Sequence, residues 1–324
     1  MKNILITGIT GQDGIFLTSE ILKNQQGYNI YGVTRKQNSK FFFNNLNSIS
    51  KLDKNNIKLF SLDLTDHEKV SKLIKDIKPN FVYNLSGPSS VYESLISPEK
   101  SSYTIKKIFN NLTDSLIQES LFSNFFQASS SEMYGSETEK PLTETHSFSP
   151  KSPYAAAKLM NHEKVIKLSK NYDWKIFSGI MFNHESEFRK DEYLFMKIIN
   201  EAIKIKNKKS DKLVLGSLDY VRDWSYAQDI SRGIYRITTE GKSSSYVLGS
   251  GTGSKIKNIV EIVFNEFNIN IDKYVDIDKS LIREGDPKKI IANPSKIKEE
   301  LSWSTKVGFE ELVQICIKSR LVQF

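Results

Sequence analysis

Glycines at positions 8, 11 and 14 follow directly on an apolar run, residues 3–7 (NILIT), and lead into a helical pattern at 15–22. A strand that runs into spaced glycines and then a helix leaves the backbone little choice. It must turn without side-chain obstruction, and the helix must begin where the strand ends. Backbone N–H groups at such a helix start can approach a pyrophosphate. Gly8, Thr10, Gly11, Gln12 and Asp13 are therefore candidate dinucleotide-binding residues, in the strand–turn–helix context that gives a glycine triplet meaning.

The alternation continues through the first half. β-rich runs at 29–33, 57–62, 81–85, 125–128 and Ile176–Met181 are separated by helical patterns at His67–Ile77, 104–119 and 155–169. Such alternation produces right-handed crossovers and a parallel sheet covered on both faces. The expected fold is α/β: a doubly wound parallel-sheet Rossmann lobe with a smaller, interwoven C-terminal substrate lobe. The last third is less regular, with helices expected at 193–205, 227–238, 255–267 and 309–319 and short strands at Leu213–Leu215 and Ser245–Leu248. No repeat or low-complexity linker separates the lobes. The expected boundaries are 1–181 plus about 223–250 for the first lobe, and about 182–222 plus 251–324 for the second.

Composition narrows the class. With 39% hydrophobic and 26% charged residues, the chain has enough apolar surface for a core, which excludes disorder, collagen and coiled coil as whole-chain readings. No apolar run approaches the ~20 residues that span a bilayer, and residues 1–7 are too short for the apolar core of a signal peptide. A soluble cytoplasmic protein without a membrane partner is expected. The single cysteine, Cys316, excludes an intramolecular disulfide and any Cys-cluster metal site, and no metal is expected. The net charge of +8 comes from 39 Lys and only seven Arg, scattered along the chain. Nucleic-acid readers favour the planar fork of Arg, so no nucleic-acid partner is expected. The densest basic run, 204–210 (KIKNKKS), reads as a helix end and the loop after it.

The carboxyl ends of the strands carry the chemistry. Arg35-Lys36 ends the second strand, where a basic pair suits the 2′-phosphate of NADP; as mere surface charge it would leave NAD as the alternative. Asp63-Leu64 ends the third, where a carboxylate can accept from an adenine amine. Leu85 and Ser86 end the fourth, beneath a nicotinamide ribose. After the fifth strand come SSSEMYG at 129–135 and YAAAK at 154–158. The spacing of four puts Tyr154 and Lys158 one turn apart on one helical face. An ammonium beside a phenol favours the phenolate. Tyr154 is thus a candidate base for a sugar hydroxyl proton while hydride leaves the same carbon.

These residues, together with DLTD at 63–66, SPYAAAK at 152–158, FNHES at 182–186, LGSLDYVRDW at 215–224 and LSWSTKVGFEELV at 301–313, resemble the extended short-chain dehydrogenase/reductases, and within them the GDP-mannose 4,6-dehydratase family. The resemblance runs along nearly the whole chain. It implies that Tyr154 takes the O4 proton as the C4 hydride passes to NADP, with Lys158 lowering its pKa and holding the ribose. It implies that Ser130, where the family usually has Thr, hydrogen-bonds O4. Glu132 would remove the C5 proton and assist loss of the C6 hydroxyl as water. Hydride then returns to C6, giving a GDP-4-keto-6-deoxy sugar. The chemistry agrees, because elimination needs a carboxylate near C5 and C6 and simple ketone reduction does not. His184 and Arg189 align with cofactor contacts and Asn183 with a diphosphate contact, while Lys197, Arg222 and Arg283 complete a cationic cradle, with Ser89 at the sugar.

Two departures from the family shape further expectations. The segment that usually reads GAQSH after Asn-Leu is here SGPSS, residues 86–90. Smaller groups at Pro88 and Ser90 leave room for a larger C2 substituent. The expected substrate is therefore GDP-N-acetylglucosamine, as for the dehydratases of bacterial legionaminic acid synthesis. GDP-mannose is the alternative, and a reductase or epimerase of the same fold a further one. Family tetramers carry an Arg from a loop after the second strand to a neighbour's cofactor; here that loop, 37–44 (QNSKFFFN), ends in Asn44. A homo-oligomer, dimer or tetramer, is expected, with Phe41–Phe43 as an oligomer contact or a buried loop. A cofactor-binding regulator without chemistry would not need Ser130, Glu132, Tyr154 and Lys158 together.

Overall fold

A computed structural model describes residues 1–24, 27–35, 39–135 and 140–321. The first half lays down β1 (Lys2–Thr7), α1 (Gln12–Asn24), β2 (Tyr28–Thr34), α2 (Ser39–Ile49), β3 (Ile57–Ser61) and α3 (His67–Ile77). Then come β4 (Phe81–Asn84), α4 (Val91–Ile96), α5 (Pro98–Gln118), β5 (Asn124–Ser130), α6 (Pro153–Tyr172) and β6 (Ile176–Met181). The second half contains β7 (Asn183–Glu185), α7 (Leu194–Lys206), β8 (Leu213–Leu215), β9 (Val221–Tyr226), α8 (Ala227–Glu240) and β10 (Ser245–Leu248). It closes with β11 (Gly253–Lys255), α9 (Ile256–Glu266), α10 (Ile271–Tyr274), β12 (Val275–Ile277), β13 (Lys289–Ile290), α11 (Ser295–Leu301) and α12 (Phe309–Leu321).

Seven strands form one parallel sheet in the order β10-β6-β5-β4-β1-β2-β3. It is a doubly wound α/β fold, and the order reverses between β1 and β4, where such sheets open a ligand crevice. Both faces are dry. On one, Ile15, Ile21, Phe42, Leu46, Ile230 and Ile234 pack over the strands. On the other, Val70, Ile74, Phe109, Leu112 and Val165 do so. A smaller sheet, β11-β9-β13 with β7 also on β9, and the pair β8–β12 make the second lobe, around a core of α7, α9 and α12 side chains. Strand β9 belongs wholly to this smaller sheet, and the boundary expected at about residue 223 falls within its range.

One expectation is corrected. The stretch read as a loop at 37–44 enters helix α2 at Ser39, with Phe42 and Leu46 one turn apart and fully buried while Phe41 stays exposed. Aromatic and Asn residues are poor helix formers, and burial of one face overrides that preference. Gln37 and Asn38 lie outside the described residues.

Two polar knots tie the lobes together. In the first, Gln12 and Asp13 at the start of α1 meet β7. Gln12 Nε2 donates to His184 O (3.0 Å) and Ser186 Oγ to Gln12 Oε1 (2.9 Å). His184 Nε2 lies 3.1 Å from Asp13 Oδ1. Burial alone would raise the Asp13 carboxyl, but His184, with Arg189 and Lys158, holds it below the usual range. The imidazole is raised in turn: burial opposes its charge, and Asp13 outweighs burial. In the second knot Asp223 on β9 accepts from Ser250 N (2.8 Å), Ser250 Oγ (2.7 Å), Gly251 N (2.8 Å) and Ala292 N (3.2 Å).

Asp223→Ala would strand the buried N–H of Ala292, at about 1–3 kcal/mol, and release the part-buried bonds from Ser250 and Gly251 at less. The thermal midpoint should fall by several degrees, and a variant melting with the wild type would show the knot to be idle. The His184–Asp13 pair gives a pH signature. A raised histidine contributes stability below its unfolded pKa, about 6.5, and loses it as pH rises through the folded value. A depressed Asp13 contributes above about 3.8 and loses it as pH falls. The gap in thermal midpoint between wild type and His184→Gln should therefore be widest at about pH 4–6.5 and narrow above it. A gap independent of pH would contradict the ion pair.

Candidate active site

The cleft opens at the carboxyl ends of β4, β5 and β6, faces the small sheet, and has a volume of about 440 Å³. Ser130 is the last residue of β5, and its Oγ accepts from Glu132 N (3.2 Å), capping a single 3₁₀ turn, Ser131–Met133. That turn swings Glu132 to the cleft wall. Helix α6 starts where Ser152 Oγ accepts from Ala155 N (3.1 Å) with Pro153 in the first turn, which places Tyr154 at the helix mouth and Lys158 one turn in. Lys158 Nζ donates to Ala128 O (2.7 Å) and stands 5.7 Å from the centre of the Tyr154 ring.

The electrostatics revise the sequence reading. Burial pushes the Tyr154 phenol up to about 12; a hydrogen bond with Ser130 pulls it down and the charge of Glu132 pushes it up. Burial also brings Lys158 down to about 8, against the pull of Asp13. The net shift of the phenol is therefore upward, where a lowered phenol was expected: desolvation is the largest influence on both groups. Glu132 too is raised, by burial first, with Arg283 opposing and Asp286 reinforcing. A quarter of its side chain remains exposed, toward the cleft.

Of the candidate cofactor residues, Asp13, Leu85, Ser86, His184 and Arg189 line the cleft beside Tyr154 and Lys158. Gly8 has φ 71°, and a Cβ there would lie 2.8 Å from Leu85 O, so only glycine fits the turn beside the cleft. Thr10 Oγ1 meets Thr34 Oγ1 at 3.3 Å, and Gly11 N donates to Gly8 O at 3.0 Å. Gln12 is turned to β7, as described. Arg35 is exposed just past β2, and Lys36 lies outside the described residues. Asp63, beyond β3, accepts from Thr65 N (2.9 Å) and Oγ1 (2.8 Å), bonds that hold its carboxyl low. Leu64 is buried, its carbonyl accepting from Asn111 Nδ2 (2.9 Å).

Of the candidate substrate residues, Ser89, Ser130, Asn183, Arg222 and Arg283 line the cleft. Lys197 does not: it sits on α7 with Nζ donating to Val214 O (3.0 Å). Three cleft residues were missed. Asp286 Oδ1 accepts from both Arg222 Nη2 (2.9 Å) and Arg283 Nη2 (2.8 Å). Tyr193 bonds Ser89 Oγ through its hydroxyl (2.6 Å) and lies under the Arg189 guanidinium, 3.6 Å from ring centre. Glu185, raised by burial against the charge of Arg189, holds Arg189 Nε at 3.1 Å. Spacing marked Tyr193 only as a helix start, and for Asp286 the only local signal was an acidic residue three positions after Arg283. No cluster of His, Cys, Asp and Glu suited to a metal ion occurs among the described residues.

Solved structures share this architecture. The dTDP-glucose 4,6-dehydratase of Bacillus anthracis, in complex with NAD, superposes with a TM-score of 0.84 at 21% identity, covering 99% of this chain and 97% of that one. RMD of Pseudomonas aeruginosa, complexed with NADPH, gives 0.82 at 17% identity, covering both chains fully. At such identities the likeness speaks for the fold. Sequence relatives go further. GDP-mannose 4,6 dehydratase 2 of Arabidopsis thaliana is 34% identical over 329 residues, covering 99% of this chain and 87% of the relative. The GDP-mannose 4,6 dehydratase of Homo sapiens is 32% identical, covering 96% and 89%. The family model for GDP-mannose 4,6 dehydratase matches residues 5–316. With cleft, fold and near-complete coverage in agreement, the chain belongs to the GDP-mannose 4,6-dehydratase family.

Proposed function

We propose that the protein converts GDP-mannose to the GDP-4-keto-6-deoxy sugar by removing the elements of water. The observation that carries this reading is a raised carboxyl, Glu132, in one cleft with Ser130, Tyr154 and Lys158. Reduction or epimerisation would use the Tyr–Lys pair without that carboxyl. The residues fit a nicotinamide dinucleotide: the Gly8 turn is closed to any Cβ beside Leu85, and buried Lys158 and half-buried Asp13 wall the adjoining cleft. When bound, such a cofactor would supply the hydride acceptor for C4 and the hydride donor for C6. The family and Arg35 past β2 support NADP; the solved neighbours are bound to NAD in one case and NADPH in the other.

Tyr154 takes the O4 proton, aided by the Ser130 hydrogen bond and the charge of Arg189, which both favour its phenolate. Glu132 takes the C5 proton once the C4 ketone has acidified it, and a carboxyl raised toward neutrality can then protonate the departing C6 hydroxyl. Arg222 and Arg283 hold the diphosphate, with Asn183 beside them. The earlier expectation of an acetamido sugar gains nothing from the relatives, which are named for GDP-mannose. The structure gives the small Ser90 another use: its Oγ accepts from Glu93 N (3.1 Å) and caps α4. A homo-oligomer is supported by the exposed apolar side chains Tyr92, Ile96 and Tyr103 on α4 and α5.

Mass spectrometry tests the reading, with each GDP-sugar incubated in heavy water and only catalytic cofactor. GDP-mannose should lose one water without added reductant and gain one solvent deuterium at C5. Glu132→Gln should lower the rate by about 10²–10⁴. Water loss from GDP-N-acetylglucosamine alone would reverse the choice of sugar. No water loss from either would overturn the dehydratase reading.

A further inference from the structure

Glu132 faces charged groups from three other parts of the chain. Arg283 and Asp286 come from the segment before β13, Arg222 from β9 and the Tyr154 phenol from α6; Lys151 and Glu284 line the adjoining crevice. A guanidinium this close to a free carboxylate normally closes to ~2.7–2.9 Å. Here Arg283 Nη2 stays 3.8 Å from Glu132 Oε1, while the same nitrogen donates to Asp286 Oδ1 at 2.8 Å. That oxygen also takes Arg222 Nη2 at 2.9 Å. The Arg222 and Asp286 side chains are 9% and 12% exposed, against 27% for Arg283. The more buried pair thus anchors the more exposed partner.

We propose that Asp286 is a positioning residue that restrains Arg283, so that Glu132 keeps the basicity its reaction requires. The proposal rests on the reading of Glu132 as the C5 base. With Asp286 in place, the positive charge nearest Glu132 is divided between two carboxylates and held closer to the other one. Without it, Arg283 is released to close on Glu132 and a neighbouring negative charge disappears. Both changes favour the ionised Glu132 and weaken it as a base.

The test uses full-length protein labelled with carboxyl-¹³C glutamate, with the Glu132 signal assigned by its loss in Glu132→Gln. In Asp286→Asn the Glu132 titration should fall by about one pH unit or more. In Asp286→Glu it should stay near wild type. Asp286→Ser removes the same charge should the Asn variant not fold. The kcat profile on GDP-mannose should follow, its acid limb moving to lower pH and its plateau dropping about tenfold. An unmoved Glu132 titration in Asp286→Asn, or an equal fall in Asp286→Glu, would overturn the proposal. So would a KM increase with titration and acid limb both unchanged, which marks a purely structural or binding role. A moved titration with an unmoved acid limb would leave the restraint standing and remove Glu132 as the base.

Discussion

The carboxylate of Asp13 pairs with the His184 imidazole and also acts on the Lys158 ammonium through its charge, and much of the cleft depends on that placement. It lies in the first turn of α1, between Gly11 and Gly14, so the geometry of that turn decides where a half-buried negative charge sits. From there it holds β7 against the large sheet, and β7 is what carries Asn183 and Glu185 to the cleft. Phe16, one turn further along α1, packs against Phe188 and Tyr226 and continues the same junction in apolar contacts. A shift of α1 would therefore move both walls together.

Charge at this junction is buried in groups, because a lone buried ion is too costly to keep. Glu185 answers Arg189, which sits over the ring of Tyr193, which in turn bonds Ser89 across the cleft. Lys158 is fixed on Ala128 O, a carbonyl that also accepts from Gln127 Nε2 (2.8 Å). Gln127 Oε1 takes Asn84 Nδ2 (2.7 Å), and Asn84 Oδ1 takes Thr7 Oγ1 (2.8 Å). A polar chain thus crosses β1, β4 and β5 beneath the cleft floor and ends at the ammonium. Such networks hold side chains in one arrangement when every member is satisfied.

How far these features could be read from the residues depended on distance along the chain. The strands of the large sheet and the pair Tyr154/Lys158 are local patterns, apolar runs in one case and a one-turn spacing in the other, and both stand where the sequence placed them. Strands β7 and β9 escaped notice because NHE and VRDWSY show no apolar period; their polar side chains find partners in Asp13, Ser250 and Ala292, which arrive from elsewhere in the chain. Helix α2 was hidden by FFFNN, whose helicity comes from burial of Phe42 and Leu46. Lys197 looked like a cradle residue from its neighbours in sequence, yet its ammonium found a carbonyl on β8. Asp286 was visible as an acid, but that two arginines share its one oxygen belongs to the fold alone.

The chain passes between the lobes repeatedly. Phe182 alone separates β6 from β7, Tyr226 ends β9 directly before α8, and residues 249–252 separate β10 from β11. The first lobe is consequently not a contiguous piece of the gene. A fragment ending at Met181 would lack β10, the partner of β6, and α8, which covers α1. Its sheet would end in an unpaired β6 edge beside a bared apolar face, the arrangement that recruits other chains and aggregates. The two lobes must therefore be synthesised, folded and inherited as one unit.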